Sequence, residues 1–298
     1  MSKYYIGFPI SFNCSLRCAY CYNKEFYDFI DTGIGTNKWR DRRTFTFEDY
    51  WKWRDKHLSD STDLIMHLFG GEPFCQQNVE DVFSIFKSMN KERFDILSNG
   101  ICDNETISQL KEFKSRFYRI GFTYHRESLI KFPELKKRFE NNVMLVKDMG
   151  IKVYVKELMI KENRDLIISN KRWWLSKGID FKIQDFKGGD RGLSQEEYEK
   201  YTPLDHALID PEYKHIGNQC SCIAGYKNLF IRGFDMADVG TNGSDIISCW
   251  QMPTVIGNIL DDWFCTSYIV ARDFNGKITV RNAPELFRGT HKYDLPVK

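Results

Sequence analysis

The chain has 298 residues, 42% hydrophobic and 28% charged, with a formal net charge of +2. That length allows about two domains, or one large α/β unit with an extension. The composition excludes a disordered chain, and the near-neutral balance gives no electrostatic case for a nucleic-acid partner.

No apolar run is long enough to span a membrane, and Met1-Ser-Lys-Tyr-Tyr5 does not open a signal peptide. The expected compartment is the cytoplasm. There, nine cysteines point to metal or redox chemistry rather than a disulfide framework.

Along the chain, Tyr4–Ile10 is apolar, β-branched and aromatic and reads as a buried strand. A polar loop follows with Cys14, Cys18 and Cys21. A long polar stretch between Lys24 and Arg43 contains the basic run Lys38-Trp-Arg-Asp-Arg-Arg43, read as a solvated loop. Thr46-Phe-Glu-Asp49 has the form of a capped helix start. Asp63–Phe69 reads as a strand running into Gly70-Gly71-Glu72-Pro73, and Val79–Met89 has helical spacing. Phe94–Ser98 is a short strand leading into Ser98-Asn99-Gly100, and Glu105–Phe113 a helix with Asn104 as N-cap. Tyr118–Tyr124 is a strand ending in Thr123-Tyr124-His125. Leu129–Met149 reads as one helix with Leu135, Phe139, Val143 and Val146 on one face. Ile151–Val155 is a strand followed by Lys156-Glu157. Asp165–Lys177 is a helix, and Gly178–Ile183 the last strand, before Gln184-Asp185.

Repeated strand–helix units imply a parallel sheet with helical crossovers, with function gathered at the carboxyl ends of the strands. Gly188-Gly-Asp-Arg-Gly192 breaks the pattern. The expected division is therefore residues 1–187 and 188–298, the second part opening on a short helix over Ser194–Tyr201. Its strand-like segments are Asn228–Ile231, Ile246–Cys249 and Ile256–Ile259, among the cysteines Cys220, Cys222, Cys249 and Cys265.

The spacing Cys14-x3-Cys18-x2-Cys21 groups thiolates tightly enough to hold a soft metal ion or an iron–sulfur cluster. Three thiolates on a four-iron cluster leave one iron open to a substrate or cofactor. A structural zinc site wants four ligands, and here the fourth would be distant, since no histidine precedes His57 and the next cysteine is Cys75. Three loose core thiols fit poorly with Asn13, Ser15 and Arg17. Cys75 and Cys102 have no partners at metal spacing and read as small buried hydrophobes.

With the aromatic Tyr20 before the third cysteine, this loop resembles that of the radical S-adenosylmethionine (SAM) enzymes. Gly70-Gly71-Glu72-Pro73 one strand later strengthens the likeness. The resemblance implies a partial (β/α)6 TIM-like barrel. It implies a 4Fe–4S cluster on Cys14, Cys18 and Cys21 whose open iron binds SAM, and reductive cleavage of SAM to a 5′-deoxyadenosyl radical that abstracts hydrogen from a substrate. It places Tyr20, Gly70, Gly71, Glu72, Pro73, Ser98, Asn99 and His125 around SAM. Each also has an ordinary reading: a turn with a capping glutamate, an Asn-Gly turn, a locally satisfied histidine. Lys156-Glu157 and Gln184-Asp185 are expected either to line the same cavity or to sit on a solvated rim.

In the second part, Cys222-Ile-Ala-Gly225, a hairpin, Cys249 and Gly257-Asn258-Ile259 resemble the auxiliary-cluster extension of these enzymes in its shorter Twitch form rather than the full SPASM form. Cys222, Cys249 and Cys265, with Cys220 as a possible fourth ligand, are the expected holders of a second 4Fe–4S cluster; a zinc knot on the same thiols is the alternative. The implied activity is oxidoreductase or maturase chemistry on a peptide, with radical chemistry on a small metabolite as the alternative. The implied electron donor is a flavodoxin or ferredoxin. There is no room for a separate peptide-binding module before Tyr4. An activase of a glycyl-radical enzyme fits less well, because its extra cysteines would follow the first motif directly. The reading from another class is a non-catalytic zinc-binding interaction protein.

Overall fold

The computed structural model of the chain describes residues 2–11, 13–21, 45–59, 61–160, 163–185, 228–231, 244–249, 252–264, 268–272 and 278–282. Strands β1 (Ser2–Pro9), β2 (Ser61–Phe69), β3 (Glu92–Ser98), β4 (Phe117–Thr123), β5 (Val153–Met159) and β6 (Asp180–Asp185) lie in this order in one parallel sheet. The helices between them are α1 (Phe47–His57), α2 (Val79–Ser88), α3 (Asn104–Gln109), α4 (Arg126–Lys131), α5 (Pro133–Asp148) and α6 (Arg164–Ser176), with a 3-10 turn over Leu110–Arg116. This is the α/β alternation expected of a partial (β/α)6 barrel. No helix among the described residues is long and apolar enough to cross a membrane.

Contacts divide the chain into two units. One falls within Met1–Gly7, Arg43–Asp63 and Tyr213–Lys298, the other within Phe8–Arg42 and Leu64–Glu212. The expected boundary at residues 187–188 and the helix over Ser194–Tyr201 lie outside the described residues.

In the first unit, β1 pairs in parallel with β7 (Asn228–Ile231), from Tyr5↔Asn228 to Gly7↔Phe230. Strands β7, β8 (Asp245–Cys249), β9 (Met252–Asn258) and β10 (Trp263–Phe264) continue antiparallel, and β11 (Tyr268–Arg272) pairs with β12 (Ile278–Asn282). Helix α1 starts where expected: Thr46 and Asp49 close a reciprocal capping box. Its last turn holds Asp262 through Lys56 and through His57 Nε2, 3.0 Å from Oδ1.

In the second unit the two faces of the sheet differ in chemistry. The helix-facing row is apolar: Phe94 and Ile96, Ile120 and Phe122, Val153 and Val155, Phe181 and Ile183 are all buried. Phe86 of α2 meets Phe94 and Phe117 at 4.6 and 5.3 Å between ring centroids. Phe139 of α5 meets Phe122, Tyr124 and Trp174. The alternate residues, on the other face, include Asp95, Arg119, Lys156 and Lys182.

Asp95 is 2% exposed and takes two hydrogen bonds from Arg119, at 3.0 and 2.7 Å. Burial opposes its ionisation, but His67 and Arg119 outweigh burial and hold its pKa down at about 2. The Arg119 guanidinium and the Lys182 ammonium both lie over the Tyr154 ring, at 5.2 and 4.6 Å. That ring lies against Gly121, its register partner on β4; a methyl group there would stand 2.3 Å from Tyr154 Cζ.

Three expectations needed correction. The single helix over Leu129–Met149 is two, α4 and α5, because Pro133 opens α5 at its first position and disfavours helical backbone at Phe132. The N-cap of α3 is Asp103, whose side chain accepts from Thr106 N–H; Asn104 is already helical. Strands β5 and β6 lie about two residues further on than the patterns suggested, so Lys156 and Glu157 are within β5. For β6 the cause is a Schellman closure, Gly178 N–H to Leu175 O and Ile179 N–H to Trp174 O at 2.9 and 3.1 Å.

Gly121→Ala is expected to destabilise the protein by about 1–3 kcal/mol in urea unfolding, as overpacking does. Most of that loss should disappear in a Tyr154→Leu background. An equal penalty in both backgrounds would show that something other than the ring resists the methyl.

Candidate cofactor site at the carboxyl ends of the strands

The site belongs to the second unit and is assembled by one backbone clasp. The turn after β2 lies against the segment entering the cysteine loop. Gly71 N–H donates to Ser11 O at 2.6 Å, and Glu72 N–H to Asn13 O at 2.7 Å. Gly70 has φ +128°, and any Cβ there would stand 2.3 Å from Ser11 O. Glycine is required at this position by conformation and by space alike.

Asn78, buried at the start of α2, bolts the two segments together. Its Nδ2 donates to Glu72 O at 2.7 Å and to Asn13 O at 3.2 Å. Its Oδ1 accepts from Ser11 Oγ at 2.6 Å and from Asn13 Nδ2 at 3.4 Å. The sequence patterns passed over Asn78, Asn13 and Ser11. A buried amide bridging two loops has no spacing that distinguishes it from an ordinary turn residue.

Glu72 is 2% exposed, and its carboxylate accepts three hydrogen bonds: from Phe74 N–H at 3.0 Å, Ser98 Oγ at 2.7 Å and Asn99 N–H at 2.5 Å. Burial pushes its pKa up to about 7 against these donors. Ser98 also accepts from Gly100 N–H at 3.0 Å. Asn99 closes the expected turn and also touches the cysteine loop. Its Oδ1 closes a turn with Ile101 N–H at 3.1 Å, while its Nδ2 reaches the cysteine loop at Ser15 Oγ, 3.0 Å, and Cys14 Sγ, 3.8 Å.

The thiols share this loop. Cys14 Sγ accepts from Leu16 N–H at 3.4 Å, and Cys21 N–H donates to Cys18 O at 3.1 Å. Cys18 Sγ lies 3.3 Å and Tyr20 Oη 2.9 Å from His125 Nδ1, with the Tyr20 and His125 rings stacked. His125, just past β4, thus meets the cysteine loop.

Burial, then the Glu72 charge, raises Cys14 to about 12; burial, then Cys21, raises Cys18 to about 11. Burial also raises Tyr20, whereas burial and then Lys156 lower His125 to about 4. The lowered pKa favours the neutral imidazole, whose Nδ1 lies within hydrogen-bond reach of both Cys18 Sγ and Tyr20 Oη.

Beside Tyr20 lies a cavity of about 390 Å³, walled by Tyr124, Arg126, Glu127, Leu158 and Leu166 among others. Glu157 turns away from the sheet's polar face. It is buried against α4 and α6, bonded to Arg126 Nε at 2.5 Å, Asn163 at 3.0 Å and Asn170 at 2.7 Å, which corrects both the cavity and the rim expectations for this residue. Lys156 stays on the polar face, half-buried. Gln184 is half-buried, and the Asp185 side chain lies outside the described residues. Cys75 is buried, as expected, and Cys102 half-buried. Cys220, Cys222 and Cys265 lie outside the described residues. Cys249 ends β8, and its side chain is likewise outside them.

Residues 8–167 match the family model of the radical SAM superfamily. The chain belongs to the radical SAM superfamily. No curated protein matches it. Among solved structures, it is similar to native anSMEcpe with bound AdoMet and Cp18Cys peptide, at TM-score 0.55 and 12% identity, covering 86% of this chain and 78% of that one. It is similar to a histidine-tagged form of anSMEcpe with bound AdoMet, at TM-score 0.59 and 14% identity, covering 88% and 76%. It is also similar to Streptococcus suis SuiB bound to S-adenosylmethionine, at TM-score 0.56 and 14% identity, covering 88% and 64%. At these identities the likeness is one of fold.

The family uses a 4Fe–4S cluster and SAM. Among the described residues no three His, Cys, Asp or Glu side chains are grouped as the ligands of a single ion. The donor set fits a cluster in its chemistry. It offers three soft thiols on one loop, electrostatically coupled from Cys14 to Cys18 and from Cys18 to Cys21, with N–H donors aimed at Cys14 sulfur. Because burial keeps Cys14 and Cys18 protonated, iron binding must displace their protons.

Asn78→Ala removes the bolt and leaves buried partners unsatisfied. It should cost about 1–3 kcal/mol of stability and lower the iron held per chain after anaerobic reconstitution. Wild-type iron content in this variant would show that the backbone clasp suffices alone.

Proposed function

We propose that this chain is a radical SAM oxidoreductase of the maturase type acting on a peptide. The observation that carries the proposal is the clasp. It brings the cysteine loop, the Gly70–Pro73 turn, Ser98-Asn99 and His125 into one hydrogen-bonded group where family members use their cofactors. When bound, the cluster and SAM supply one-electron reductive cleavage of the sulfonium and a 5′-deoxyadenosyl radical able to take hydrogen from an unactivated carbon.

The chain's own residues hold and orient. Cys14, Cys18 and Cys21 provide the thiolates. The Gly70–Pro73 turn receives the methionyl ammonium, with the Glu72 carboxylate as its charge partner. Ser98 and Asn99 fix that carboxylate, and Asn99 ties it to the cysteine loop. Neutral His125, stacked on Tyr20, closes the loop from the β4 side and offers a hydrogen bond without adding positive charge beside a sulfonium. The half-open cavity next to Tyr20 suits a ligand that enters from the strand ends. The likeness to anSMEcpe, whose structure holds a peptide together with AdoMet, supports a peptide substrate.

The second part of the chain, residues 188–298, is proposed to carry an auxiliary 4Fe–4S cluster on Cys222, Cys249 and Cys265 with Cys220, in a Twitch-like arrangement. The electron donor would be a flavodoxin or ferredoxin, and the compartment the cytoplasm. Membership of an enzyme superfamily sets aside the zinc-binding interaction protein.

In anaerobic assays with reductant and SAM, Cys18→Ala should abolish 5′-deoxyadenosine formation, whereas Cys249→Ala should lower iron content and spare that activity. Persistent 5′-deoxyadenosine from the first variant would refute the cluster assignment; unchanged iron in the second would remove the auxiliary cluster. SAM binding should tighten as pH rises through about 7, since only ionised Glu72 attracts an ammonium. Glu72→Gln should weaken SAM binding by about tenfold, near 1.4 kcal/mol, and flatten that pH dependence. Unaltered affinity would make the turn purely structural.

A further inference from the structure

The polar face of the sheet carries more positive charge than the proposed chemistry uses. Lys156 on β5 is the register partner of Lys182 on β6 and of Thr123 on β4. Both lysines are half-buried. Among the described residues neither ammonium has an ion pair, and the contact recorded is Lys182 over Tyr154 at 4.6 Å.

The carboxylate whose field reaches both is Asp95; its Oδ2 takes both hydrogen bonds from Arg119, while its buried Oδ1 has no hydrogen-bond partner among the described residues. Asp180, exposed at the start of β6, reaches Lys182 alone. Among the described residues, Arg119, Lys156 and Lys182 thus share one acid, three positive charges against one negative. Burial, reinforced by Lys182 and Arg119 and opposed by Asp95, brings Lys156 down to about 8. Two like charges held side by side away from water are unfavourable until an anion joins them.

We infer that Lys156 and Lys182 form a carboxylate-binding subsite. It takes an acidic side chain or terminal carboxylate of the peptide substrate and rests on the Asp95–Arg119 pair and the Tyr154 ring. The inference rests on the proposed function and names its substrate class. SAM's own carboxylate is the other source of such a group. Its methionyl end is assigned to the turn after β2, three strands along the sheet from β5, and SAM affinity measured in parallel separates the two sources. Tyr124 N–H donates to Lys156 O at 2.7 Å, so a substrate anchored here lies beside the end of β4 that leads into His125.

The test is equilibrium dialysis of the reconstituted protein against hexapeptide pools identical except for a central Glu or Gln. Wild-type protein should retain the Glu pool about tenfold better. Lys156→Gln/Lys182→Gln should lose the preference, and Lys156→Arg/Lys182→Arg should keep it. Equal retention by wild type, or a preference surviving in the Gln double variant, overturns the inference. SAM affinity, measured in parallel, should not change. Lost SAM affinity with intact peptide discrimination assigns the pair to SAM's carboxylate and also overturns it. The urea midpoint of the Gln double variant should equal or exceed that of wild type; a lower midpoint would mean that the two charges are already compensated within the chain, against the inference. Charge discrimination is read without turnover. A failure of SAM cleavage in wild-type protein would therefore sink the proposed function while leaving this result legible.

Discussion

Two backbone hydrogen bonds hold the cysteine loop against the turn after β2: Gly71 N–H to Ser11 O and Glu72 N–H to Asn13 O. They join a turn to a loop, which regular secondary structure would not do. The geometry works because Gly70 combines a left-handed backbone with a bare Cα against Ser11 O. Asn78 then saturates the polar atoms that the contact would otherwise strand. Buried polar groups left unpaired are costly. The clasp is therefore close to all-or-none, and the position of the thiols inherits that character.

From the clasp, a second set of bonds spreads across the strand ends. Glu72 gathers Phe74, Ser98 and Asn99, Asn99 touches the cysteine loop, and Cys18 and Tyr20 meet His125. Burial pushes the titratable groups of this layer toward their neutral forms: the thiols of Cys14 and Cys18, the phenol of Tyr20, the imidazole of His125 and the carboxyl of Glu72. Deeper in the sheet the balance is reversed. Asp95 stays ionised because Arg119 and His67 are aimed at it. The strand ends thus carry groups pushed toward neutrality, above an ion pair held within the sheet.

Much of this was legible in the sequence, and for identifiable reasons. The cysteine spacing and Gly70-Gly71-Glu72-Pro73 are local, and local patterns survive folding. The strands of the first 185 residues announce themselves by apolar runs on the helix-facing row. What failed were boundaries and directions. Pro133 sits inside a helical periodicity strong enough to mask the break. The first residues after the β-preceding turns look strand-like although the turn has not closed. The role of Glu157 was lost because the expected strand ended at Val155; carried on to Met159, the alternation puts Glu157 on the face of Val153 and Val155. Asn78 was not visible at all: what marks it is a set of partners far away in sequence, and no pattern of neighbours reports those.

The contact between Gly121 and Tyr154 carries a further consequence. A strand position lacking a side chain lets an aromatic ring lie across the next strand, and that ring is then held by two cations. The relief of the polar face at this point is therefore fixed on β4, by the absence of one methyl group, and it can change without altering any residue of the cysteine loop or of the turn after β2.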